Sequence, residues 1–303
     1  MILQRDIFIN EIKLKMKKNK NLFFLSADFG SEALDELRKK FPSQFLHCGI
    51  SEQAMVDMAT GLALDKRNVF VYAMAPFLSL RSIEQIKCGP AMMKLPIVFI
   101  SVGIGIGYAD SGPTHYANED YAVIRTMIGN EIYTPSCNSQ TRYIAKKLLK
   151  NPKFSYIRLD RNYLPEIKTS KKNNFKDGFA IIGKPKSIKK LLISSGKMSH
   201  EGYKIFLKNP DRYYLLDLFK TKPISEKIIK YLKNNSGIIV LDEQNIHGGL
   251  ASAIFEYLVD KNININSKIK TICLPDKYIY ENGGRNFLLN KFVFSQNNNK
   301  INK

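Results

Sequence analysis

Strand-like and helix-like stretches alternate along the first half of this 303-residue chain, and that alternation limits its possible folds more than any other feature. NLFFLSADFG (21–30) reads as a strand running into a turn, SEALDELRKKF as a helix, FLHCGIS as a short strand and 52–65 as a helix. NVFVYAMAP, LPIVFISVGIG, EIYTPS and FSYIRLD follow as strands by their β-branched and aromatic runs. SLRSIEQIKCGPAMMK, NEDYAVIRTMI and SQTRYIAKKLLKN are the helices between them. Strands that alternate with helices pair in parallel and carry helices on both faces. The pattern dissolves over EIKTSKKNNFKDGFAIIGKPKSI (166–188), then resumes with KLLISSG, HEGYKIFLKN, YYLLDLFK, SEKIIKYLKNN, GIIVLDE, GGLASAIFEYLVDKN and IKTICLP. The expected fold is α/β with two domains, each a mainly parallel sheet flanked by helices. The boundaries are 1–170, a linker over 171–188, 189–295 and a disordered tail over 296–303.

Composition narrows the class. Hydrophobic residues make up 44% of the chain, enough for a substantial core. No apolar run approaches the ~18 residues of a membrane span, and the start, MILQRDIFINEIKLKMKKNK, lacks the apolar segment of a signal peptide. Cys48, Cys88, Cys137 and Cys273 lie far apart with no CxxC pair, which reads as reduced thiols of a cytoplasmic protein and not as a disulfide framework or zinc site. The net charge of +20 comes from lysines spread through the chain and interleaved with asparagine. This reads as solvated faces, compatible with attraction for phosphorylated substrates, and not as a nucleic-acid surface.

Four stretches carry chemistry-bearing residues. In HCGISEQAMVDMATGLAL, Glu52 opens an apolar helix whose core face is expected at Ala54, Met55, Met58, Ala59 and Leu62. Either Glu52 faces water in the first turn, where the helix dipole favours it, or it is held inside for a chemical purpose. Phe77, just after a buried strand in APFLSLRSIEQI, is a core aromatic or an exposed flat surface. The loop GIGIGYADSGPTHYANED follows a strand, but Pro113 blocks the immediate helix that a dinucleotide fingerprint needs. His115 in that loop, and Arg161 after the strand YIRLD, fall where parallel sheets place ligands. A surface ion pair with Asp160 or Glu166 is the plainer reading of Arg161.

Taken in order, GISEQAM, PFLSLRSIEQI, SGPTHYANED and RLDRNYLP resemble the transketolase family, in the domain that binds the pyrimidine ring of thiamine diphosphate. IIVLDEQNIHGGLASAI resembles the family's C-terminal domain, and the resemblance extends over residues 1–295. It implies a cofactor, thiamine diphosphate, whose pyrimidine nitrogen is met by Glu52 and whose ring stacks on Phe77, with Asp28 in a turn near it. It implies that His115 contacts a substrate oxygen and that Arg161, with Arg5 as a second, holds a sugar phosphate. Ser111 replaces a substrate-binding aspartate of the family, with Asp110 beside it as a substitute. Gly103 stands where many members have a further histidine, and Ile83 where a second pocket aromatic is often found. The family's magnesium motif, G-D-G followed by N-N, is absent. The resemblance therefore implies the C-terminal subunit of a split transketolase, with Mg²⁺ held by an N-terminal-type partner chain in a dimer of heterodimers. The implied reaction moves a two-carbon ketol unit between sugar phosphates. A deoxyxylulose-phosphate-synthase-like condensation, a 2-oxo-acid dehydrogenase β-type subunit and a non-catalytic partner subunit are the alternatives.

Overall fold

The structure is a computed structural model, and it describes residues 1–27, 32–168 and 175–295. Asp28 and the 296–303 tail lie outside the described residues. The strands are β1 (Leu22–Ser26), β2 (Phe45–His47), β3 (Asn68–Met74), β4 (Val98–Val102), β5 (Glu131–Tyr133), β6 (Ser155–Leu159), β7 (Ala180–Ile182), β8 (Lys190–Ser194), β9 (Tyr213–Asp217), β10 (Lys220–Lys222), β11 (Ile238–Asn245) and β12 (Ile269–Leu274).

The first sheet has the order β10-β5-β6-β4-β3-β1-β2, with every pairing parallel except that of β10 with β5. Strands β4 and β6 are buried throughout, as a sheet covered on both faces requires. Alternate residues supply the two faces. Phe24, Tyr72, Ile100 and Ile157 pack in one cluster with Phe8, Ile9 and Ile12 of helix Gln4–Met16 and with Ile144 and Leu148 of helix Asn138–Lys150. Their chain neighbours Leu25, Val71, Phe99 and Tyr156 pack on the other side with Met55, Val56 and Ala59 of helix Glu52–Leu64. Each such fully buried side chain is worth about 1.5–3 kcal/mol. The second sheet has the order β12-β11-β8-β9-β7, parallel except for β7, which lies within the 171–188 stretch.

Two consequences bear on the site. Parallel pairing of β1, β3, β4 and β6 brings their carboxyl ends to one edge, so Phe77, the 103–115 loop and Arg161 all leave the sheet on the same side. The two halves are also joined through buried charge. Arg285 donates from Nη1 to both Asp160 oxygens at 2.8 and 2.7 Å, and from Nε to Glu243 Oε1 at 2.7 Å. Asp217 of β9 accepts from Ser136, Ser199 and Gln140 at 2.6–2.7 Å. His200 Nε2 lies 2.7 Å from the Ser136 carbonyl, and burial lowers the pKa of this imidazole.

Candidate functional site

Helix Glu52–Leu64 buries Glu52, Met55, Val56, Ala59, Thr60 and Ala63, a spacing of three and four that includes the carboxylate. Met55 and Ala59 of the face expected from the sequence are buried, but the face is rotated: Ala54 and Met58 are exposed and Leu62 is half-buried. Of the two readings of Glu52, the inward one holds, since the residue is only 3% exposed. A buried carboxylate needs a partner, and Arg81 provides it, with Nη1 2.5 Å from Glu52 Oε2.

Arg81 comes from the segment after β3. The stretch expected as one helix is instead a π-turn over Phe77–Arg81, a short α-turn over Ile83–Ile86 and a second π-turn over Lys87–Ala91. Phe77 and Arg81 are four residues apart and share a face. The Arg81 guanidinium carbon stands 4.3 Å from the centre of the half-buried Phe77 ring, an attractive cation–π contact. One planar cation thus lies on Phe77 and donates to Glu52. Ile83 is half-buried against the apolar core beneath.

The 103–115 loop supplies the facing wall. Pro113–His115 forms a 3₁₀ turn that sets the His115 ring edge-on to Phe77, with ring centres 5.3 Å apart and planes at 74°. His115 Nδ1 is 3.0 Å from the Thr114 hydroxyl. Arg161, after β6, pairs with Asp110 of this loop and not with Asp160 or Glu166, the partners suggested by its neighbourhood in sequence. Asp160 belongs to Arg285, and Glu166 accepts from Ser139. Hydrogen bonding to Arg161 holds the Asp110 carboxyl below the usual carboxylate range. Ser111 is exposed, its hydroxyl 3.5 Å from Asp110. Glu52, Phe77 and His115 are therefore linked in one chain of contacts that runs through Arg81, and Arg161, Asp110 and Ser111 form a second linked group. Arg5 stands with Asp6 at 3.4 Å and with Tyr72 of β3, and its contacts tie it to neither group.

Arg81 and Tyr108 were not singled out from sequence. Arg81 carried a usable signal, its four-residue spacing from Phe77. Tyr108, whose ring centre lies 6.5 Å from that of His115 and 4.4 Å from the Arg161 guanidinium, carried none, because a loop has no period.

Comparison with known proteins agrees with this architecture. The family model described as "Transketolase, pyrimidine binding domain" matches residues 2–166. The chain belongs to that family, one built around thiamine diphosphate. More particularly, it is similar to one subunit of the apulose-4-phosphate transketolase of Phocaeicola vulgatus, at 28% identity over 288 residues covering 92% of this chain and 89% of that one. It is also 27% identical over 279 residues to the "1-deoxy-D-xylulose-5-phosphate synthase" of Clostridium perfringens, spanning 88% of this chain but only 43% of that protein. The solved structure titled "Split gene transketolase, inactive beta4 tetramer" superposes with a TM-score of 0.83 at 23% identity, covering 99% of this chain and 97% of that one. This last match establishes the fold. The α/β architecture with two mainly parallel sheets is that of a split transketolase C-terminal chain. Among the described residues no helix is long and apolar enough to cross a membrane.

Proposed function

We propose that this chain supplies the pyrimidine-binding half of a two-chain, thiamine-diphosphate-dependent transketolase, in which Glu52 and Phe77 receive the pyrimidine ring. The observation that carries the reading is the arrangement around Arg81: one flat, hydrogen-bond-donating cation lies on Phe77 and against the Glu52 carboxylate. An aminopyrimidine protonated on its ring nitrogen, or in its imino tautomer, offers the same two features, a flat face and a ring N–H donor, so the residues present fit that end of the cofactor. For the diphosphate end, no group of three His, Cys, Asp or Glu side chains able to hold a metal occurs among the described residues. The resemblance assigns Mg²⁺ and the diphosphate to a partner chain carrying the G-D-G and N-N motifs, in a dimer of heterodimers.

When bound, the cofactor would supply a nucleophilic carbon for the chemistry of a ketose carbonyl. This chain's residues prepare that chemistry. Glu52, in a water-poor position, takes a ring-nitrogen hydrogen bond whose strength depends on low local dielectric. Phe77 fixes the ring plane, His115 hydrogen-bonds a substrate hydroxyl or carbonyl oxygen, and Arg161 receives a phosphate through its guanidinium fork. The reaction proposed is transfer of a two-carbon ketol unit between sugar phosphates. A deoxyxylulose-phosphate-synthase-type condensation is the second reading, favoured by the likeness to such a synthase over 88% of the chain.

The test begins with the tagged full chain purified from its native lysate together with its stoichiometric partner. The complex is expected to show thiamine-diphosphate-dependent ketol transfer, and Glu52→Gln to reduce it by about 10²–10⁴-fold, the usual scale for losing a proton-handling group. Full activity in Glu52→Gln overturns the assignment. Release of carbon dioxide from pyruvate, with no ketol transfer, selects the synthase reading.

A further inference from the structure

We propose that Tyr108 is a substrate-positioning residue, which fills the space beside Gly103 and holds the Arg161 guanidinium in the orientation that receives a substrate phosphate. The inference rests on the reading above and extends it to a residue that no motif marks.

Gly103 has φ +86°, in the left-handed region, and a Cβ built there would overlap Cε2 and Cδ2 of the Tyr108 ring. The ring of Tyr108 therefore occupies the volume that a side chain at 103 would fill, and the two positions are a matched pair. The ring is half-buried and joins none of the apolar clusters of the fold. Its neighbours include the site's polar groups. One contact is with the Arg161 guanidinium, 4.4 Å from the ring centre. Another is with His115, whose ring is tilted by 57° at 6.5 Å. Tyr108 thus touches both the group assigned to a phosphate and the group assigned to a substrate oxygen.

Arg161 is held from two directions, by the ring face and by Asp110, to which it donates from Nη1. A guanidinium has five N–H donors in a fixed plane. Held this way, it keeps most of them for a phosphate and loses less side-chain freedom when one arrives. The ring face is what this role needs, and the hydroxyl is not.

The test uses the partner-bound complex with hydroxypyruvate as donor, comparing glyceraldehyde 3-phosphate with glycolaldehyde as acceptor. Tyr108→Ala is expected to raise KM for the phosphorylated acceptor about five- to tenfold, in line with loss of a cation–π contact, while kcat and KM for glycolaldehyde stay within about twofold. Tyr108→Phe, which keeps the ring face, is expected to behave as wild type. In an Arg161→Leu background, Tyr108→Ala should add nothing, since the two act as a unit. An equal rise for both acceptors, a Tyr108→Phe defect matching that of alanine, an additive double variant, or a wild-type complex with no preference for the phosphorylated aldehyde overturns the proposal. Loss of activity in Glu52→Gln alongside any of these leaves the cofactor assignment standing and rejects Tyr108 alone. Retained activity in Glu52→Gln rejects the parent reading.

Discussion

Two groups of charge lie at the same end of the first sheet, and they are built differently. At the seam between the halves, Arg285 is almost fully buried, and its donors are met by two carboxylates that are themselves buried. Nearby Arg158 is sealed in the same way, giving two bonds of 2.9 Å to Asp120 and one of 3.1 Å to the Thr134 hydroxyl. At the candidate site, Glu52 is as buried as these, but its partner Arg81 keeps 38% of its side chain in solvent. A closed network of buried charge fixes geometry, and removing one member is costly. A buried carboxylate whose counter-ion is half in water can exchange that partner for another. The contrast separates charge that holds the chain together from charge that is available to a ligand.

The contrast breaks most sharply at Arg285. Arg285→Met leaves Asp160 and Glu243 buried without a cation and is expected to lower stability by about 3–5 kcal/mol, read by denaturant unfolding of the full chain. A loss below about 1 kcal/mol would show that the seam is no more committed than the site.

A second test uses pH. Burial pushes the Asp242 carboxyl up to about 6, even though it accepts from the Leu250 and Glu243 amides at 2.6 and 2.9 Å. A group whose pKa is raised on folding contributes stability below its unfolded value of 3.8 and loses it as pH rises through about 6. Between pH 4 and 7 the wild type should therefore give up roughly 3 kcal/mol on this account, at about 1.4 kcal/mol per pK unit. Asp242→Asn should show a flatter or rising profile over the same window in thermal unfolding. Parallel profiles would remove Asp242 from the account.

The smallest effect is expected at the site itself. Arg81→Gln should lower stability by about 1–2 kcal/mol, less than Arg285→Met, because Glu52 is buried but the pair opens to water on the Arg81 side. A loss as large as that of Arg285→Met would place Arg81 among the structural charges and weaken its reading as a stand-in for the pyrimidine.

The sheet was legible in sequence because buried parallel strands are near-continuous apolar runs, and β4 and β6 are that plainly. The helix after Ser51 was legible as a helix, but not which way it faced. It carries apolar side chains on two sides, and Ala54, Met58 and Leu62 mimic a core stripe as well as Met55, Ala59 and Ala63 do. The segment 79–94 reads as one helix by composition. Its π-turns show only in the chain's hydrogen bonds, such as Leu95 N to the carbonyl of Pro90 and Met92 N to that of Lys87, both five residues back. Glu52, Phe77, His115 and Arg161 were legible as candidates because motif order marked them. Their partners were not: Arg161 meets Asp110 from 51 positions away, and Arg285 meets Asp160 from 125. Such pairs are set by topology, which no local pattern encodes.

Strand β10 has a consequence for any attempt to dissect the chain. It comes from the second half yet completes the first sheet, pairing with β5 through Lys220 and Lys222. Lys220 Nζ adds a bond to Glu131 at 2.9 Å, and the Thr134 amide donates to the Phe219 carbonyl at 2.7 Å. Cutting the chain before this strand would leave β5 as a bare edge with unpaired amides, a template for association with other chains. The two halves therefore share one margin of hydrogen bonds, and β5 amides should resist exchange with solvent for as long as the second half stays folded.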